Sequence, residues 1–320
     1  MWGTLRGAVF CGAVYAPVLS ACGGGGGPGA AVPPPGPTST ASPAAAAAQL
    51  AATLNGSVVV AGALPAAPVG GAQVRVGTSF AGGSLGGVLA SATSAPDGSF
   101  SLPVPLVTSL PALPAPIQPP SPYPQIPTPP PGTAATLFIQ IDAPAYAPLH
   151  RIVYLAPGSV AAGAYGLVVP TADERNALAA LNADRARLGA GTGAQPLGLD
   201  TDLELTARFV ATTMATQGFY AHRYPGTNVA VNVQYCAWPG FCSRYVDGPS
   251  ENQAANAGTL AAAEAAYIAE GPNGGHEQTI VHPNNLWVGF GAAYGGLCPD
   301  GMAGTCSYFV EEFALTAGTP

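Results

Sequence analysis

The side chains able to carry acid–base, nucleophilic or metal chemistry are crowded into the C-terminal half of this chain. Residues 171–320 hold three of the four histidines, 14 of the 16 acidic residues and six of the nine arginines. There is no lysine anywhere, so P-loop, Schiff-base and Ser-x-x-Lys chemistries have no residue to carry them. A net charge of −7 with so few basic residues argues against a nucleic-acid partner. Two strings imitate catalytic signatures. His276-Glu277-Gln278-Thr279-Ile280-Val281-His282 starts like the H-E-x-x-H helix of a zinc protease. The second imidazole stands at 282 instead of 280, about 240° around a helix, so both could not ligate from one regular helix. Gly82-Gly83-Ser84-Leu85-Gly86 spells G-x-S-x-G, which needs a strand before the serine and a helix after it. Its flanks are Gly-rich and lead to a Pro96-Asp97-Gly98 turn, so Ser84 is not expected to be a nucleophile.

The cysteines and the N-terminus describe an address. Met1–Ala21 carries one arginine, Arg6, then an apolar run and Leu19-Ser20-Ala21-Cys22. This resembles a bacterial lipobox, and the resemblance implies a signal peptide over 1–21 and lipidation of Cys22. An ordinary signal peptide cut nearby is the alternative. A retained membrane helix fits less well, because the run is about 15 residues against the ~20 a bilayer needs, and Pro17 interrupts it. Cys11 would leave with the signal. Cys236, Cys242, Cys298 and Cys306 then remain, an even number in an oxidising compartment. They allow three pairings, of which the local ones, Cys236–Cys242 and Cys298–Cys306, close short loops and are preferred. Neither pair has the tight C-x₂₋₄-C spacing of a zinc knuckle.

The elements that must position the chemistry follow from composition and periodicity. With 43 Gly and 35 Pro, and only 8% charged residues against a usual ~25%, part of the chain is expected to be linker. Residues 22–53 carry no charge and are expected to form a flexible Gly/Pro/Ala tether. Residues 54–169 hold short alternating runs: Ser57–Val60, Ala72–Val76, Ser99–Leu102, Leu137–Ile141 and Ile152–Leu155. Short strands between turns predict a small β-sandwich. The Pro-dense stretch 103–132 is expected to be an exposed, extended insertion in it. The order of these runs, with Asp97-Gly98-x-Phe100 and a late Ala145-Tyr146, resembles the carboxypeptidase regulatory-like fold. That resemblance implies a transthyretin-like sandwich serving as spacer or binding module.

Residues 170–320 read as helices with marked ends followed by strands. Thr171-x-x-Glu174 and Thr201-x-x-Glu204 are capping boxes, and their helices should stop at Gly189 and Gly218. Leu203, Ala207, Val210 and Met214 form a stripe that faces a core. A third helix is expected from about Thr259 to Glu270, before Gly271-Pro272. Trp287–Tyr294 and Ser307–Leu315 should be strands. The expected class is α+β: a C-terminal α-β-α sandwich with an antiparallel sheet, after the small β-sandwich.

Six landmarks in order resemble the CAP superfamily (cysteine-rich secretory proteins, antigen 5, pathogenesis-related 1), also called SCP-like extracellular domains. They are Glu174-Arg175-Asn176 with Leu181–Arg187, then Phe219-Tyr220-Ala221-His222, Ser250-Glu251-Asn252-Gln253-Ala254, Tyr267-Ile268-Ala269-Glu270, Gly275-His276, and Leu286–Tyr294 with Tyr308-Phe309-Val310. The resemblance spans about residues 171–316 and implies the CAP fold. It also implies a central cleft lined by His222, Glu251, Glu270 and His276, in which some members bind zinc or another divalent metal. Two imidazoles and two carboxylates suit such an ion. The two histidines are expected to ligate and the two glutamates to position water or orient the imidazoles. For Glu251 the alternative is a helix cap, for Glu270 replacement by Glu264 or Glu277, and His282 is the alternative imidazole. The sequence departs from the family at Pro249-Ser250 before Glu251 and at Glu277-Gln278 after His276.

Three functions follow as expectations. The first is an exported, lipid-anchored binding module at the cell surface or in the periplasm, holding a divalent metal and a small or apolar ligand such as a lipid, sterol or cell-wall component. The second is a hydrolase of peptide or cell-wall substrates using metal-bound or Glu-activated water. The third is a non-catalytic surface interaction protein.

Overall fold

A computed structural model describes residues 51–81, 84–106, 132–228, 230–232, 250–299 and 302–315. The expected signal peptide, Cys22, most of the tether and of the Pro-dense insertion, and the Cys236–Cys242 loop lie outside these residues.

Among the described residues, seven strands form the N-terminal half: β1 (Ala51–Val60), β2 (Gln73–Ala81), β3 (Ser84–Thr93), β4 (Ser99–Pro105), β5 (Ala135–Asp142), β6 (Leu149–Leu155) and β7 (Gly158–Leu167). They make a three-stranded sheet ordered β4-β1-β7 and a four-stranded sheet ordered β3-β2-β5-β6. Alternate residues of both sheets bury one shared core, including Leu54, Val58, Leu102 and Val104 against Val74, Val76, Ile139 and Leu149. Period-2 alternation puts these side chains on one face. Strand β1 starts at Ala51, inside the stretch read as tether, because Ala52 and Leu54 are buried opposite Val104 and Leu102. Pro103 and Pro105 likewise belong to β4 and not to the insertion. Ser84 opens strand β3, and no helix follows it.

The C-terminal half contains α1 (Ala172–Leu188), β8 (Gly198–Leu199), α2 (Thr201–Gln217), β9 (Ser250–Ala255), α3 (Leu260–Ile268), α4 (Gly275–Ile280), β10 (Asn285–Leu297) and β11 (Thr305–Leu315). The sheet order is β8-β10-β11-β9. It is antiparallel except for β8, which runs parallel to β10. Helices α1 and α3 pack on one face, where Leu181, Ala263 and Tyr267 meet Val288, Phe290 and Phe309. Helix α2 packs on the other, where Val210 and Met214 meet Tyr308 and Val310. This is the expected α-β-α arrangement. Glycines 289 and 291 on β10 permit it: a Cβ there would lie 2.0 and 2.1 Å from the backbone of Leu203 and Ala207 in α2.

The Thr171/Glu174 capping box is present. The second is not. Asp200 caps α2, accepting from the backbone N–H of Asp202 and Leu203 at 2.9 and 3.1 Å. Thr201 is instead turned to the sandwich, its Oγ donating to the Ala147 carbonyl at 2.7 Å. Gly218 ends α2 in the left-handed region at φ 67°, where glycine carries no Cβ penalty. Around Asp200 the two halves interlock. His150 of β6 and Asp200, both fully buried, share a 2.7 Å hydrogen bond, and the His150 ring lies 4.1 Å from that of Trp287. Arg151 grips Asp202 through two hydrogen bonds of 2.9 and 2.7 Å. Among the described residues no helix is long and apolar enough to cross a membrane.

Candidate functional site

The four expected residues fall into two pairs. His222, just past α2, hydrogen-bonds through Nδ1 to Glu251 Oε1 on strand β9. Glu251 is therefore a strand residue and caps no helix. Its carboxylate is buried, while the imidazole is 56% exposed. Glu270, just past α3, meets His276 Nδ1 on α4 at 2.6 Å. The turn at Gly271 and the short helix α4 make this second pair local in the chain. His282 stands in neither pair; it accepts from the backbone N–H of Asn284 at 3.3 Å. Glu264 does not replace Glu270, because it is buried on α3 facing Glu311.

Three successive residues of edge strand β9 join the pairs. Gln253 donates to Glu251 Oε1 at 2.7 Å, fixing that carboxylate from its own strand. Asn252, pointing to the opposite face, donates to the His276 carbonyl at 3.4 Å. Tyr220 donates its hydroxyl to the Gln253 carbonyl at 2.7 Å. Burial raises the Tyr220 phenol, and the charges of Glu270 and Glu251 raise it further, so this hydroxyl feels both pairs. The Tyr267 ring backs His276 at 4.8 Å.

Behind Glu251 lies a second buried carboxyl, Glu312 of β11, paired with it across the strands. Burial holds Glu312 well above the usual carboxylate range, and the neighbouring Glu251 charge adds to this. Asn232 donates to both Glu312 oxygens at 3.2 Å. The His222 imidazole is raised from its ordinary value, chiefly by its hydrogen bond to Glu251, with burial and Arg223 opposing. Tyr220, Asn232 and Glu312 escaped sequence reasoning. A signal did exist for Glu312: Glu311-Glu312 interrupts the apolar run from Tyr308 to Leu315 in a final strand that both helical layers cover.

The scaffold explains the sequence landmarks around the pairs. Arg185 of α1, 1% exposed, donates to the carbonyls of Gln195 at 2.7 Å, Ile280, His282 and Asn285. It thereby ties α1 to the turn after α4. Burial lowers its guanidinium to about 10. Asn182 exchanges two hydrogen bonds with Leu197, at 3.0 and 2.7 Å. Cys298, just past the end of β10, forms a disulfide with Cys306 of β11, as preferred from spacing.

A family model described as the cysteine-rich secretory protein family, CAP, matches residues 178–310. These residues form a CAP domain. All four paired residues lie inside it. No curated protein matches the chain. Among solved structures, 3-chlorocatechol 1,2-dioxygenase from Rhodococcus opacus 1CP is 12% identical over 38% of this chain and 61% of its own, with a TM-score of 0.22. Hydroxyquinol 1,2-dioxygenase from Pseudomonas putida DLL-E4 is 13% identical over 39% and 59%, with a TM-score of 0.23. The dioxygenase domain of a carbohydrate-binding fusion from Streptomyces sp. SirexAA-E is 15% identical over 42% and 86%, with a TM-score of 0.20. The chain thus spans about three fifths of the length of the first two. Overlays this loose carry no argument.

A divalent ion was expected from the resemblance. The donor chemistry suits one: each imidazole gives Nδ1 to a carboxylate, the arrangement that orients a ligating histidine. Among the described residues no three His, Cys, Asp or Glu side chains are placed to hold an ion. The protein would supply two nitrogens, and water or a bound molecule would have to complete the shell.

Proposed function

We propose that the CAP domain is a binding module of an exported, lipid-anchored protein, and that its two His–Glu pairs hold a small ligand at the cell surface or in the periplasm. The observation that supports this reading is the pairing of both imidazoles with carboxylates that both act on the Tyr220 phenol. Each carboxylate orients a ring, leaving Nε2 to meet the ligand. A divalent metal, zinc among the candidates, would be held by the Nε2 atoms of His222 and His276, where it would act as a Lewis acid or template. Glu251 and Glu270 would keep the rings in place. A lipid, sterol or cell-wall fragment is the ligand class proposed, and Cys22 supplies the membrane attachment. The β-sandwich is proposed to be carboxypeptidase regulatory-like and to act as a rigid support.

Zinc titration by calorimetry tests the metal. The wild type should bind it, and His222→Ala/His276→Ala should not; identical heats from both would remove the metal from this reading. A second reading is a hydrolase. It is favoured by the half-exposed His222 imidazole backed by a buried carboxylate, as a general acid or base requires. Turnover of a peptide library or of peptidoglycan, abolished by Glu251→Gln, would establish it; no turnover of either substrate would count against it.

A further inference from the structure

The face of the CAP sheet toward α3 holds a cluster that the two His–Glu pairs do not use. Glu264 of α3 and Glu311 of β11 face one another at 0% and 1% exposure. Asn252 donates to Glu311 Oε2 at 3.1 Å. Among the described residues both Glu264 oxygens, Glu311 Oε1 and Asn252 Oδ1 meet no N–H or O–H. Two carboxylates cannot bond to each other, since both only accept. As two anions in a dry site they would repel and lack hydration. One proton between them makes a charge-assisted O–H···O⁻ bond.

The groups facing this pair come from every neighbouring element. Helix α3 offers Tyr267, α1 offers Asp184, and β9 offers Asn252. Strand β10 presents Val288 and Phe290 to the same core. The arginine of α1 in that layer, Arg185, is committed to backbone carbonyls. Among the described residues no cation acts on either carboxyl.

We propose that Glu264 and Glu311 share a single proton that latches α3 to the sheet, so that losing it at alkaline pH loosens α3 and the Glu270–His276 pair at its end. The latch is independent of what the cleft binds; only its consequence for the cleft rests on the reading above. Asn252 provides the link, since its amide touches both Glu311 and the His276 carbonyl. The titration agrees in direction. Burial holds Glu311 well above the carboxylate range, with Glu264 adding to it. Burial likewise pushes Glu264 up to about 7 from 4.5, Asp184 adding and the Glu311 hydrogen bond opposing. The folded state therefore keeps a proton that the unfolded chain gives up. Glu264 gives up its own proton first, at about 7, so the shared proton is the one on Glu311; its stabilisation is fully present below the unfolded value of 4.5 and is lost only as pH rises through the higher Glu311 value.

Urea unfolding of the full chain at about pH 5 and about pH 9, wild type against Glu264→Gln and Glu311→Gln, tests this. Other groups also titrate over that range, so the comparison is between pH slopes. The wild-type folding constant should fall roughly 10- to 100-fold more than that of Glu311→Gln, whose amide can donate to Glu264 without a proton. In the wild type alone, hydrogen exchange of the 260–268 amides should accelerate above neutrality beyond the intrinsic rate. Equal slopes in all three proteins, or unchanged protection of α3, would overturn the latch. So would stabilisation of the wild type but neither variant by magnesium or calcium chloride at the higher pH, because a cation would then bridge the carboxyls. Loss of zinc binding leaves all these readouts untouched.

Discussion

At the scale of residues, the protein places its acids in stacked positions. Glu251 orients the His222 imidazole from below and is itself backed by Glu312. Removing the Glu251 charge should therefore be felt at the ring. In Glu251→Gln, the His222 pKa followed by NMR should fall toward its ordinary ~6.5, because the hydrogen bond that raises it is lost. The sign for stability follows. A histidine raised in the folded state helps below its unfolded value, and that help is lost as pH climbs through the folded one. Arg185 makes a second test. Its replacement by alanine would leave four carbonyls at the turn after α4 without their donor. Urea unfolding should report a loss of about 3 kcal/mol or more. The paired histidines and glutamates were legible only as landmarks in order. Nothing in their spacing says that Glu270 would reach His276 across a six-residue turn, or that Glu251 lies on a strand. Those facts depend on α4 and β9, which are too short and too polar to show a period.

At the scale of elements, the tight contact between α2 and β10 rests on strand glycines. Gly291→Ala would drive a methyl into the backbone of Ala207, and a cost of about 3 kcal/mol or more is expected in thermal or urea unfolding. Gly191→Ala, where a Cβ meets nothing within 4 Å, should stay within about 0.5 kcal/mol. Helices α1, α2 and α3 were legible because caps and glycine stops frame them. The start of α2 was misread by one residue for a physical reason. Thr201 has the right chemistry for a cap, but the sandwich takes its hydroxyl, and Asp200 caps in its place. Strands β3 and β7 were missed because alanine and glycine fill them. Their pairing is settled by neighbours and not by side-chain pattern.

At the scale of the whole molecule, the β-sandwich is more than a spacer in front of a CAP domain. The seam at β6 and the start of α2 combines a buried His150–Asp200 bond, the Trp287 ring and the Arg151–Asp202 fork. Residues 51–315 should consequently unfold in one transition when tryptophan fluorescence and far-UV circular dichroism are compared. Two separated transitions would show the seam to be weak. Arg151→Ala and Asp202→Ala in a double-mutant cycle should couple by about 0.5–1 kcal/mol, as partly exposed ion pairs do. The sandwich and CAP segments were legible as two stretches of different composition. Their union was not, because each seam residue has an ordinary role in its own half.

Asp200 begins a helix for one half and holds an imidazole for the other. An ancestor that exchanged its N-terminal sheet for an unrelated one would have had to reinvent the start of α2 in the same step, so the two halves are expected to have travelled through evolution as one inherited block.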